Sequence, residues 1–118
     1  MLDEETLGVL YAHCICLVFP SFDEGFGLPP IEAMSAASPT IVSDIPVHRE
    51  VLGDAAIYCD PRSPGSLKEK MQQVVEDSDL RRKYIARGLE RCRLYSWERT
   101  ATQTLEVYES VLAKRATQ

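Results

Sequence analysis

The chain reads as an α/β protein, with a Rossmann-like parallel sheet in its first half followed by C-terminal helices. Three observations predict this class. Residues 14–19 (C-I-C-L-V-F), 40–42 (T-I-V) and 55–59 (A-A-I-Y-C) are short apolar or β-branched runs of strand length. Helical patterns separate them, and strands joined through helices in one sheet run parallel with right-handed crossovers. Beyond the turn signal at residues 60–66 (D-P-R-S-P-G-S) the pattern becomes purely helical.

The elements follow in order. Asp3 can cap a helix whose first turn carries Glu4 and Glu5 and whose apolar positions Leu7, Leu10 and Tyr11 recur at helical spacing. Residues 14–19 form a nearly continuous apolar run, the signature of a parallel strand covered on both faces, and Pro20 ends it. Gly25 and Gly27 then permit positive φ and leave out the Cβ atoms that would keep a ligand from the backbone N–H groups. Pro29 and Pro30 suit a first helical turn, with Ile31, Met34 and Ala37 at helical spacing after them. The second strand follows, then a brief helix from Pro46 to Leu52 closed by Gly53, then the third strand.

Three helices complete the pattern. The first places Leu67, Met71, Val74 and Val75 on one face, and the second Leu80, Tyr84, Ile85, Leu89 and Cys92. The last is capped by Ser96 and is expected to turn Trp97, Ala101, Leu105, Tyr108, Val111 and Leu112 inward, with fraying near Gln118. One domain is expected, with residues 1–60 as its α/β portion and 61–118 as its helical portion.

Composition narrows the function classes. At 118 residues, 45% apolar and 26% charged, the chain has the make-up of an ordinary globular domain. No apolar run approaches the length of about 18 residues needed for a membrane span. The start M-L-D-E-E is acidic where a secretory signal is basic, so a cytoplasmic location is expected. A net charge of −5 argues against nucleic acid as a partner. Cys14, Cys16, Cys59 and Cys92 form no C-x-x-C pair and are expected to be reduced core residues. His13 beside Cys14 and Cys16 is the one cluster that a metal could use, and core packing accounts for it better, so no metal is expected.

The richest segment is residues 19–34, F-P-S-F-D-E-G-F-G-L-P-P-I-E-A-M. A glycine-bearing turn leads from a strand into a proline-started helix, so unpaired N–H groups and the positive end of the helix dipole face the turn, a setting that attracts phosphate. Glu24 and Glu32 repel phosphate but accept hydrogen bonds from hydroxyls. A ligand carrying both groups, a sugar nucleotide, satisfies the whole set. The rule that ligands sit at the C-terminal ends of parallel strands places residues 24–28 and 43–48 on the same rim. For His48 and Arg49, a short solvated helix is as good an explanation as contact with ligand.

This stretch resembles the E-x7-E signature of family 4 (group 1) glycosyltransferases, retaining enzymes of the two-domain GT-B fold. The resemblance covers nearly the whole chain: L-G-V-L-Y before the first strand, P-S-F-D-E-G-F-G-L-P-P-I-E-A-M, the P-T-I-V strand, E-V-L-G-D-A-A, and Tyr95-Ser96-Trp97. It implies that Glu24 contacts the donor sugar near the anomeric centre and is the catalytic residue. It implies that Gly25, Phe26, Gly27 and Leu28 face the sugar and diphosphate, with Pro20 and Ser21 shaping the loop entrance, and that Glu32 holds the ribose hydroxyls. The family usually has glycine where this chain has Ala37.

The resemblance further implies a nucleoside-diphosphate-sugar donor and no cofactor. A hydroxyl acceptor would be held by an N-terminal domain absent here, and polysaccharide or glycoconjugate biosynthesis is the expected setting. Family members carry an Arg and a Lys upstream of this region, and the loop itself supplies no cation. The chain is therefore expected to be a donor-binding portion beginning at Met1 as a truncated frame, inactive alone. An exposed sheet edge is expected to favour self-association, and the resemblance leaves peripheral membrane association of a longer parent open. A nucleotide-sugar epimerase of similar fold and a non-catalytic self-associating module remain the alternatives.

Overall fold

A computed structural model of the chain describes residues 2–116. The expected start at Met1 and fraying at Gln118 lie outside the described residues. The elements are α1 (Glu4–His13), β1 (Leu17–Phe19), α2 (Leu28–Ser35), β2 (Thr40–Ser43), α3 (Pro46–Leu52), β3 (Ile57–Cys59), α4 (Pro64–Glu76), α5 (Ser78–Cys92) and α6 (Trp97–Ala116). The strands form a parallel sheet in the order β1-β2-β3, with Leu17 opposite Thr40 and Val42 opposite Tyr58.

The period-2 alternation of β2 divides the core into two layers. Val42 packs with Met34, Val51, Leu52, Ala55 and Ala56 on one face of the sheet. Ile41 packs with Ile57, Cys59 and Val74 on the other. β2 is buried along its whole length because it is the central strand. β1 is shorter than the apolar run at residues 14–19 and half-buried throughout, since it lies at the edge of the sheet. The expectation of a strand covered on both faces is corrected accordingly: the run's apolarity reports burial potential, and an edge position leaves part of it unused. Cys14 is exposed and Cys16 and Cys92 are half-buried, so of the four thiols only Cys59 is a core residue.

Local chemistry sets the helix ends. Asp3 accepts from the Thr6 N–H at 2.7 Å at the start of α1, and Ser63 from the Ser66 N–H at 3.2 Å at the start of α4. Ser96 accepts from the Arg99 N–H at 3.1 Å at the start of α6. After α2 the chain turns at Ala37, whose φ of 59° is left-handed, the conformation for which glycine is the usual residue. α2 packs closely on α5 through Gly88, where a Cβ would stand 2.9 Å from Met34 Cγ.

α6 departs from the expected packing. Trp97 is 75% exposed and Leu105, Tyr108, Val111 and Leu112 are likewise exposed. Helical periodicity identifies an apolar stripe without specifying what lies against it. None of the described helices is long and apolar enough to cross a membrane.

Candidate functional site

The loop between β1 and α2 carries the candidate residues to the C-terminal rim of the sheet. Gly27 is the N-cap of α2, in the left-handed conformation (φ 83°, ψ 64°), and Pro29 and Pro30 fill the first turn. No side chain caps this helix, and because Pro29 and Pro30 carry no N–H, the amides left for an acceptor at its start are those of Gly27 and Leu28. Gly27 alone of the two loop glycines has positive φ. A Cβ on Gly27 would point inward, 3.4 Å from His48 Nε2, whereas one on Gly25 would meet nothing within 4 Å. Of the two glycines that permit positive φ, Gly27 uses it and carries the turn, and Gly25 leaves open space where a Cβ would stand.

Glu24 is half-buried and accepts a hydrogen bond from Ser21 Oγ at 2.6 Å. Its own N–H donates to Asp23 Oδ1 at 3.0 Å. Ser21 is held in turn, because Ser43 Oγ at the end of β2 donates to the Ser21 carbonyl. Phe26 lies edge-on to Tyr95 with ring centroids 5.4 Å apart, which anchors the loop's far side to the segment between α5 and α6.

Glu32 sits on the exposed side of α2 and accepts from the Tyr11 hydroxyl of α1 at 3.2 Å. Burial, together with the Glu32 carboxylate, pushes the Tyr11 hydroxyl above its ordinary 10.0, so it stays protonated and donates at neutral pH. Beside Glu32 opens a largely apolar groove of about 520 Å³, bounded by Phe26, Leu28 and Ile31 on one wall and Tyr95 and Trp97 on the other. The two glutamates thus have separate tethers, Glu24 to the β2 rim and Glu32 to α1.

His48 is fully buried, which overturns its reading as part of a solvated helix. It packs beneath the loop against Phe19, with ring centroids 5.9 Å apart. The sequence signal was thin: a histidine two residues into a proline-started helix looks like any polar surface residue. Arg49 instead pairs with Asp44, Nε to Oδ1 at 2.7 Å and a second nitrogen to Oδ2 at 2.6 Å, and its guanidinium lies 3.6 Å from the centre of the Tyr58 ring. The pair is committed to holding the turn after β2. Residues 20–28 contain no lysine or arginine, so the donors the loop offers are its amides. Among the described residues no group of three His, Cys, Asp or Glu gathers as a metal site.

Residues 2–91 match the family described as "Glycosyl transferases group 1". The chain is similar to O-antigen chain mannosyltransferase B of Escherichia coli, 40% identical over 106 residues, covering 90% of this chain and 28% of that protein. It is also similar to O-antigen chain mannosyltransferase RfbU of Salmonella typhimurium, 45% identical over 84 residues, covering 69% of this chain and 24% of the relative. Among solved structures, sucrose-phosphate synthase from Thermosynechococcus elongatus superposes with a TM-score of 0.87 at 29% identity, over 97% of this chain and 29% of that one. The chain therefore spans between 24% and 29% of the length of these proteins.

Proposed function

The chain belongs to the group 1 glycosyltransferase family, and on that footing we propose that it is the donor-binding portion of a retaining glycosyltransferase. Such an enzyme moves a sugar from a nucleoside diphosphate to a hydroxyl of a glycan acceptor. The observation that carries this reading is the uncapped start of α2 at a left-handed Gly27, flanked by Glu24 and Glu32 on independent tethers.

In this reading the amides of Gly25, Phe26, Gly27 and Leu28 take the diphosphate. As the bond to the anomeric carbon breaks, negative charge grows on the departing phosphate oxygen, where oriented N–H groups and the α2 dipole stabilise it. Positive charge grows on the anomeric carbon, and Glu24, held by Ser21, orients the sugar hydroxyls and offsets that charge. Glu32 accepts from the ribose hydroxyls. Two relatives are named as O-antigen mannosyltransferases, which supports a mannosyl donor and a polysaccharide product. With no cation in the loop, the chain alone binds donor weakly.

The test separates the two acids by ligand. Glu32→Ala should weaken binding of a free nucleoside diphosphate by about 1–3 kcal/mol, the cost of losing charge-assisted hydrogen bonds. Glu24→Gln should leave that affinity alone and, where transfer is measured, lower turnover more than about tenfold. Unchanged nucleotide affinity in Glu32→Ala removes Glu32 from the site.

A further inference from the structure

A chain of hydrogen bonds runs from His48 of α3 through Ser43 and Ser21 to Glu24, the acid that the proposed reading sets nearest the reacting centre. His48 Nδ1 lies 2.9 Å from the Ser43 backbone carbonyl and 3.2 Å from Ser43 Oγ. Ser43 Oγ contacts the Ser21 carbonyl, and Ser21 Oγ lies 2.6 Å from Glu24 Oε1. Both carbonyls can only accept. The Ser43 hydroxyl proton therefore goes to the Ser21 carbonyl and the imidazole proton must sit on Nδ1. The opposite tautomer would place a bare Nδ1 lone pair against the Ser43 carbonyl and leave that contact without a proton.

The other end of the ring is left over. His48 is 0% exposed, and among the described residues its Nε2, like Thr40 Oγ1, has no hydrogen-bond partner. The Nε2 edge faces Gly27, where an added Cβ would stand 3.4 Å from it. The ring thus lies beside the left-handed cap of α2, and its bonds lead through Ser43 and the Ser21 backbone to the residue whose hydroxyl donates to Glu24.

We propose that His48, through Ser43 and Ser21, is a positioning residue that presents Glu24 to the hexose of the donor. This rests on the reading of the loop as a nucleotide-sugar site. Its specific consequence is that the bracket governs recognition of the sugar and leaves recognition of the nucleoside diphosphate to the amides and Glu32.

The experiment uses the 118-residue chain and nuclear magnetic resonance, which reads millimolar binding. Long-range 15N–1H correlation of the imidazole should show His48 protonated on Nδ1 and bare on Nε2. A ring protonated on Nε2 overturns the bracket whatever the ligand does. Shift titrations then compare a panel of nucleoside diphosphate hexoses with the same nucleoside diphosphates lacking the hexose. The hexose should strengthen binding, and Ser21→Ala should reduce that gain about fivefold or more, the effect of losing the bond that orients a charged acceptor. Affinity for the free nucleoside diphosphate should stay within about twofold.

His48→Asn, which can return an N–H near the Nδ1 position, should keep the gain, while His48→Leu, which fills the space without a donor, should lose it. Should Leu serve as well as Asn, the ring acts by packing alone and the proposal is wrong. Variants that retain the full hexose gain overturn the bracket and leave the donor site standing. Absence of binding by the wild-type chain to every ligand overturns the donor-site reading, and the bracket with it.

Discussion

The two glycines of the β1–α2 loop provide an internal control on the geometry of the site. Gly27 has φ of 83°, and for an L-residue the left-handed region costs about 1–2 kcal/mol. The added methyl group would lie 3.4 Å from His48 Nε2 and 3.5 Å from its Cδ2, and a fully buried ring has little room to move aside. Alanine also restricts the unfolded chain, which returns about 0.4–1 kcal/mol. The net expectation for Gly27→Ala is a loss of about 1 kcal/mol, which in a domain of this size lowers Tm by about 3–6 °C. At Gly25 the backbone does not have positive φ and a Cβ meets nothing within 4 Å. Gly25→Ala should therefore hold Tm or raise it slightly. Thermal unfolding of both variants by circular dichroism decides the matter. Equal losses at the two positions, or no loss at Gly27, would refute the claim that Gly27 alone carries the turn.

Two other perturbations follow from particular contacts. Ala37 sits at φ 59° after α2, so Ala37→Gly should raise stability by about 1 kcal/mol, measured by urea unfolding at constant m. The guanidinium of Arg49 holds the Asp44 carboxyl below its ordinary 3.8. Its folded form binds fewer protons than its unfolded form in acid, so the pair's contribution is present above that pH and is lost as pH falls through the depressed value. With both side chains about half exposed, Asp44→Asn should cost only about 0.5–1 kcal/mol at neutral pH, and the difference from wild type should vanish in acid.

Much of this architecture was legible in the residues. Gly27, Pro29 and Pro30 announce a strand-to-helix turn because glycine admits a left-handed backbone that other residues avoid and proline is held near the helical φ, and Asp3 and Ser96 cap helices through contacts three residues away. Ala37 stands in a left-handed turn where a glycine was expected, so the departure from family pattern marks a real backbone demand. What could not be read was relative placement. The run at residues 14–19 gives no sign that its strand is an edge, and the apolar stripe of α6 does not say what faces it. His48 escaped because its importance lies in contacts with Gly27, Ser43 and Phe19, which local pattern cannot encode. The tether from Tyr11 to Glu32 spans 21 positions and is invisible for the same reason.

The central claim is that bare amides at the start of α2 receive a diphosphate. Its most direct test is the 15N–1H spectrum of the chain titrated with a nucleoside diphosphate. The account predicts that the largest shifts fall on the N–H groups of Gly25, Phe26, Gly27 and Leu28, with Gly53 and the residues of α4 unmoved. Saturable shifts elsewhere, with those four amides unchanged, would contradict it.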